Sequence, residues 1–169
     1  MAFFTLYAKD GSASVQVPHR SGVPGINENW PCELIIRPDD DRLEIRPRMS
    51  KKDSVYLPLN KVIQAGVVTE QEIIEKSKSV VGRAVLGGLI LGPVGAIVGG
   101  TSGVGKKEKK VTHAYFIINY QPDPQVDDIK VLTFDITGAL YLNQFTELLK
   151  DRAGIVESKP NLSNGPITL

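Results

Sequence analysis

The stretch SVVGRAVLGGLILGPVGAIVGGTSGVG, residues 79–105, lies mid-chain and divides a series of strand-like segments in two. Over residues 84–105 no side chain is charged, and glycines recur four apart as Gly88/Gly92 and Gly95/Gly99/Gly103. That spacing lays a bare strip along one helix face and lets two backbones approach closely. One straight helix over the uncharged run would be about 33 Å long, roughly a bilayer's hydrocarbon thickness. Gly92-Pro93 argues against it, because proline lacks an amide donor and biases the preceding residue away from helical angles. The expectation is an inserted glycine-rich α-helical hairpin over 80–105, with arms at 80–91 and 94–101. Lys76, Lys78 and Arg83 precede it, and Lys106, Lys107, Lys109 and Lys110 follow. Positive flanks on both sides keep both ends on one side of any membrane. Three readings stay open: a hairpin packed on the domain or on copies of itself, a hairpin dipping into a membrane, and a mobile glycine-rich loop.

Working outward, residues 113–120 (HAYFIINY) form a strong strand, and 129–136 (IKVLTFDI) alternate and pair with it as a hairpin across a proline-containing loop. Leu140, Leu142, Phe145, Leu148 and Leu149 then recur at helical spacing within 137–152, with Gly154 as a stop signal. On the other side, 62–69 read as a strand, 55–59 as a strand whose Pro58 marks an edge or a bend, and 70–76 as either helix or strand. Residues 32–37 and 42–48 flank an acidic turn, Pro38-Asp39-Asp40-Asp41, and read as a hairpin. Residues 3–9 read as a first strand, and 11–31, punctuated by glycine, proline and asparagine, as a long loop pinned by Val23 and Trp30. The domain is expected over 1–154, interrupted by the insertion at 80–105, with a polar tail at 155–169.

The 169 residues suffice for one domain with a genuine core. Twenty basic against nineteen acidic residues leave a net charge of +1, so no global field recruits nucleic acid, and no specific nucleic acid is expected as a partner. Cys32 is the only cysteine, which excludes an intrachain disulfide and suits a reducing cytosol. With His19 and His113 as the only histidines, a Cys/His zinc site is out of reach, and neither metal nor cofactor is expected. The start, MAFFTLYAKD, lacks the basic and apolar regions of a signal peptide, so the expected location is cytoplasmic, with a membrane surface as a second possibility.

The order of antiparallel strands followed by one C-terminal amphipathic helix resembles a pleckstrin-homology-like (PH-like) fold, a β-sandwich or barrel plugged by a helix. LPLNKV at 57–62 resembles the middle of GRAM-type members. HRSGVPG at 19–25, VGRAVLGG at 81–88, GPVGA at 92–96 and YFIINY at 115–120 are similar to small proteins of Gram-positive bacteria and their phages. In those a glycine zipper is inserted into a PH-like domain. The resemblance covers most of 32–154 and implies a mainly β fold with a C-terminal helix. Such folds host lipid, peptide and protein binding alike. The basic cluster that phosphoinositide-binding members carry after the first strand is not matched, since that loop offers only Lys9, His19 and Arg20.

Catalytic chemistry is nearly absent from the pattern. Residues 100–107, GTSGVGKK, give G-x-x-x-x-G-K, but Lys107 stands where a phosphate loop needs a hydroxyl for magnesium. Nucleotide binding through residues 100–106 therefore ranks behind the other readings. Cys32, His19 and His113 have no nucleophile-base context. The expected function is non-enzymatic self-assembly through Gly87, Gly88, Gly92, Pro93, Gly95, Gly99 and Gly103, with the chain itself as partner. The alternative is insertion of the hairpin into a membrane, with Lys106, Lys107, Lys109 and Lys110 drawn to anionic headgroups.

Overall fold

The computed structural model describes residues 6–48, 54–77, 85–86, 88–95, 113–136 and 138–156. Seven strands form one antiparallel sheet: β1 (Ala13–Ser21), β2 (Pro31–Ile36), β3 (Arg42–Pro47), β4 (Val55–Pro58), β5 (Val62–Thr69), β8 (Ala114–Tyr120) and β9 (Lys130–Asp135). Their spatial order is β4-β3-β2-β1-β9-β8-β5. A short helix α1 (Glu70–Ser77) follows β5, and a two-stranded hairpin β6 (Val85–Leu86) and β7 (Leu89–Ile90) lies within the glycine-rich stretch. Helix α2 (Leu142–Ala153) ends the domain, packing on β5, on β1 and on the 3-10 turn Leu59–Lys61. The architecture is a PH-like sheet closed by a C-terminal helix.

Register explains the core. Val15 pairs with Leu34 and Leu34 with Ile45, while Phe116 pairs with Phe134, so one set of alternate residues from all these strands faces α2. The Phe116 ring meets Phe145 of α2 edge-on, with centroids 6.4 Å apart. Helix α2 stops where Gly154 N–H donates to Asp151 O and Ile155 N–H to Lys150 O, the paired bonds of a Schellman cap. Arg152 reaches from this end to the carbonyls of Arg37 and Asp40, tying the helix to the β2–β3 turn.

Both hairpins, the C-terminal helix and its glycine stop lie where the sequence places them. Pro58 falls on β4, an edge of the sheet, as expected. The ambiguous segment at 70–76 is helical, and a capping box starts it. Thr69 N–H donates to Glu72 Oε2 at 2.7 Å while Glu72 N–H donates to Thr69 Oγ1 at 3.3 Å. The β5 edge is blunted by its own neighbours, since Gln64 Oε1 accepts the amide of Ala65 and Glu72 Oε2 that of Thr69.

Three expectations need correction. The 11–31 stretch is not a long loop, because Ala13–Ser21 is a strand at the middle of the sheet. Ala13, Val15 and Val17 alternate into the core, and Pro18 and Pro31 face each other where β1 leaves β2 for β9 at a bulge, so the missing donors fall at the end of a ladder. The connection shrinks to residues 22–30, folded around buried His19, whose Nδ1 lies 3.1 Å from Asn27 O while Nε2 accepts the Val23 amide. The first strand is reduced, among the described residues, to a single bridge between Tyr7 and Ala13.

The third correction concerns the insertion. Over 85–90 the chain is a β-hairpin and not a helical arm. Val85 pairs with Ile90 and Leu86 with Leu89, and Gly88 at φ +84° supplies a backbone angle that the tight connection between them requires. Residues 92–95 are helical, with Pro93 in the first turn, where its missing amide is harmless. Gly88 and Gly92 therefore do not share a helix face. The rest of the expected hairpin, 80–84 and 96–105, lies outside the described residues, as do Gly87, Gly99, Gly103, Lys106, Lys107, Lys109, Lys110 and the tail from 157.

Candidate interaction site

β8 carries the site. Its AYFIINY sequence is buried at five consecutive positions, Tyr115 to Asn119, which demands cover on both faces of the sheet. Phe116 and Ile118 face the main core; Tyr115 and Ile117 face the other way. On that second face Val68 of β5, Ile73 of α1 and Leu89, Leu91 and Val94 of the insertion close over them as a separate small core. The root of the insertion is thus a strap across the outer face of the β5-β8-β9 half of the sheet. Burying apolar surface there stabilises by roughly 25 cal/mol per Å².

Two glycines shape the seat. Gly66 on β5 has no side chain, and a Cβ built there would stand 3.4 Å from Leu89 Cδ2, so the bare backbone is the floor on which Leu89 rests. Gly92, at φ +58°, lies so close to β9 that a Cβ would come within 3.0 Å of the Val131 side chain. Of the other expected assembly residues, Gly95 is buried and Pro93 exposed.

One polar contact joins strap to sheet. Asn119, fully buried, accepts the Ile90 amide through Oδ1 at 2.7 Å and donates through Nδ2 to the Ile90 carbonyl at 2.8 Å. A carboxamide that exchanges both bonds with one residue's backbone copies a strand partner, and it satisfies a side chain that would otherwise be costly to bury. Burial also pushes the nearby Tyr115 phenol above its ordinary range, so it stays neutral. Sequence reasoning passed over Asn119, although a lone amide inside an apolar strand is itself the signal of a buried partner.

The remaining reactive residues are used structurally. Burial pushes the Cys32 thiol up to about 11, which keeps it protonated at neutral pH. Both ring nitrogens of His19 hold the 22–30 loop, and His113 sits 3.7 Å from Asp135 at the surface. In the acidic turn Asp40 pairs with Arg42 and Asp41 with Arg152. Among the described residues no group of three or more His, Cys, Asp or Glu side chains could hold a metal ion, and no helix is long and apolar enough to cross a membrane. The segment resembling a phosphate loop lies outside the described residues.

A PH-like domain with a glycine-rich insertion strapped to its sheet is therefore the class that fold and site define. Residues 26–133, nearly two thirds of the chain, match the family described as glycine zipper containing PH domain, and the chain belongs to it. The matched span takes in the strap and its seat, while all of β1 and all of α2, which complete the fold, lie beyond it. No curated protein and no solved structure matches the chain.

Proposed function

We propose that the protein is a non-enzymatic assembly module that associates with copies of itself through its glycine-rich insertion, the PH-like domain serving as the platform. The observation that supports this most is that residues 92–95 are helical and that Gly95 is the first glycine of the four-residue spacing Gly95/Gly99/Gly103 in the sequence. Leu89, Leu91 and Val94 pack on the chain's own sheet and Gly95 is itself buried, so this reading puts the contact between copies at Gly99 and Gly103. Gly88, Gly92 and Pro93 belong to the turn and seat that carry them.

Leucine at Gly99 and Gly103 adds bulk where backbones would touch. The double variant is expected to lose its oligomer in detergent-free buffer, measured by multi-angle light scattering, while its circular dichroism stays that of the wild type. An unchanged mass removes the zipper. Flotation with anionic vesicles at low salt tests the membrane alternative, in which Lys106, Lys107, Lys109 and Lys110 supply roughly 1 kcal/mol each near the surface. Wild type that floats, and sinks once those lysines become alanine, would replace the assembly reading with that one.

A further inference from the structure

The bond pair between Asn119 and Ile90 joins positions 29 residues apart in sequence, one within the insertion and one on the strand beyond it. Among the described residues it is the side-chain hydrogen-bond link between β8 and the strap, and the packing of Leu89, Leu91 and Val94 beside it is apolar and without direction. Apolar packing of Leu89, Leu91 and Val94 tolerates sliding along the sheet. Two directed bonds do not. The strap in turn sets the position of residue 95, the first glycine of the Gly95/Gly99/Gly103 spacing.

We infer that Asn119 is a positioning residue for assembly: it locks the root of the insertion in one register on β8, so that copies present their glycine segments in a single geometry. This rests on the assembly reading for its consequence, though not for the lock itself. The chemistry required is narrow. The residue must accept from one backbone N–H and donate to the same residue's C=O, at short reach, in a site without water. An amide does this at every pH; a carboxylate accepts but cannot donate; a protonated carboxyl does both again.

That last property gives a test which a purely space-filling role would not move. Asn119→Asp and Asn119→Leu are made in the full chain, and amide exchange at Ile90 is followed by NMR beside that of Phe116 and Phe134 in the core. At neutral pH both variants are expected to exchange at Ile90 about tenfold faster than wild type, with core amides still protected, since a directed bond in a buried site is lost. Lowering the pH through the titration of the introduced carboxyl should restore relative protection at Ile90 in Asn119→Asp, after correction for intrinsic exchange, and leave Asn119→Leu unlocked. Light scattering on the same samples should show one defined mass for wild type and a spread of masses for both variants at neutral pH. If Asn119→Leu does not fold, the acid rescue in Asn119→Asp alone decides the matter. Ile90 protection unchanged in both variants would overturn the lock. Fast exchange at Ile90 with an unaltered oligomer would overturn its role in assembly while leaving the zipper standing. A monomeric wild type would remove the zipper reading and the positioning role with it, and the exchange data would still judge the lock.

Discussion

Strands β3 and β8 line the same core with one face and differ completely on the other. β3 reads RLEIRP, so Leu43 and Ile45 turn inward while Arg42, Glu44 and Arg46 turn outward. There Glu44, though buried, is held by Arg37 Nη1 at 2.5 Å, Arg46 Nε at 2.9 Å and Ser54 Oγ at 2.5 Å, and Arg42 lies over the Tyr56 ring. β8 has no such alternation, and its outward Tyr115 and Ile117 are sealed by α1 and the strap. The difference teaches that an unbroken apolar run is a request for a second cover. In this chain the second cover is the very segment whose fate the glycines leave open.

The largest effect that can break this comparison comes from two adjacent residues of β8. Phe116→Ala removes a ring that packs on Phe134 and Phe145 and is expected to lower global stability by about 4 kcal/mol, read as a drop in the urea midpoint. Ile117→Ala empties the outer core, with an expected loss of about 3 kcal/mol and faster amide exchange at Leu89 and Leu91. If Ile117→Ala proves neutral while Phe116→Ala unfolds the domain, the strap contributes nothing, and β8 has only one core.

How much of this was legible follows the range of the forces involved. The β2–β3 and β8–β9 hairpins and α2 with Gly154 announce themselves through local alternation, turn residues and a stop signal. β1 was hidden because Pro18 and Pro31, read one by one, look like loop punctuation; only their pairing at the end of a ladder makes them compatible with a strand. The helix after Thr69 was in plain view as Thr-x-x-Glu and went unread as a cap. In the insertion, helical glycine spacing and strand-like Val-Leu and Leu-Ile pairs coexist at 85–92, and tertiary contact with β8 decides for the β-hairpin. The site was half legible. Apolar β8 called for cover and Asn119 for a partner, but nothing local says that the partner is Ile90.

A middle-sized effect sharpens the role of the strap. Gly92 and Gly25 both have positive φ, +58° and +76°, so an alanine at either is strained by about 1 kcal/mol. They differ in surroundings, because a Cβ at position 92 comes within 3.0 Å of Val131 and one at position 25 meets nothing within 4 Å. Gly92→Ala is therefore expected to cost about 2 kcal/mol against about 1 for Gly25→Ala, each measured by thermal unfolding. Equal costs would mean that the strap does not rest on β9.

The smallest effect belongs to the charged face, and pH separates it from the apolar one. Burial alone would raise the Glu44 carboxyl, but hydrogen bonds from Ser54, Arg37 and Arg46 outweigh it and hold the group below its ordinary value of 4.5. A carboxyl with a depressed folded-state value binds its proton more readily in the unfolded chain. Its contribution is therefore fully present above the ordinary value and is lost as the pH falls through the folded one. Glu44→Gln keeps the shape but gives up the charge, and because Arg37 and Arg46 stay half in water the cost at neutral pH is expected near 1 kcal/mol. The gap between wild type and Glu44→Gln in urea midpoint should narrow as the pH drops below 4.5 and close at lower pH, whereas the gap between wild type and Ile117→Ala should stay level over the same range. A Glu44→Gln gap that does not change with pH would mean that the charge on this carboxylate is not what holds the arginines in place, and that the outer face of β3 is secured by packing, as the outer face of β8 is.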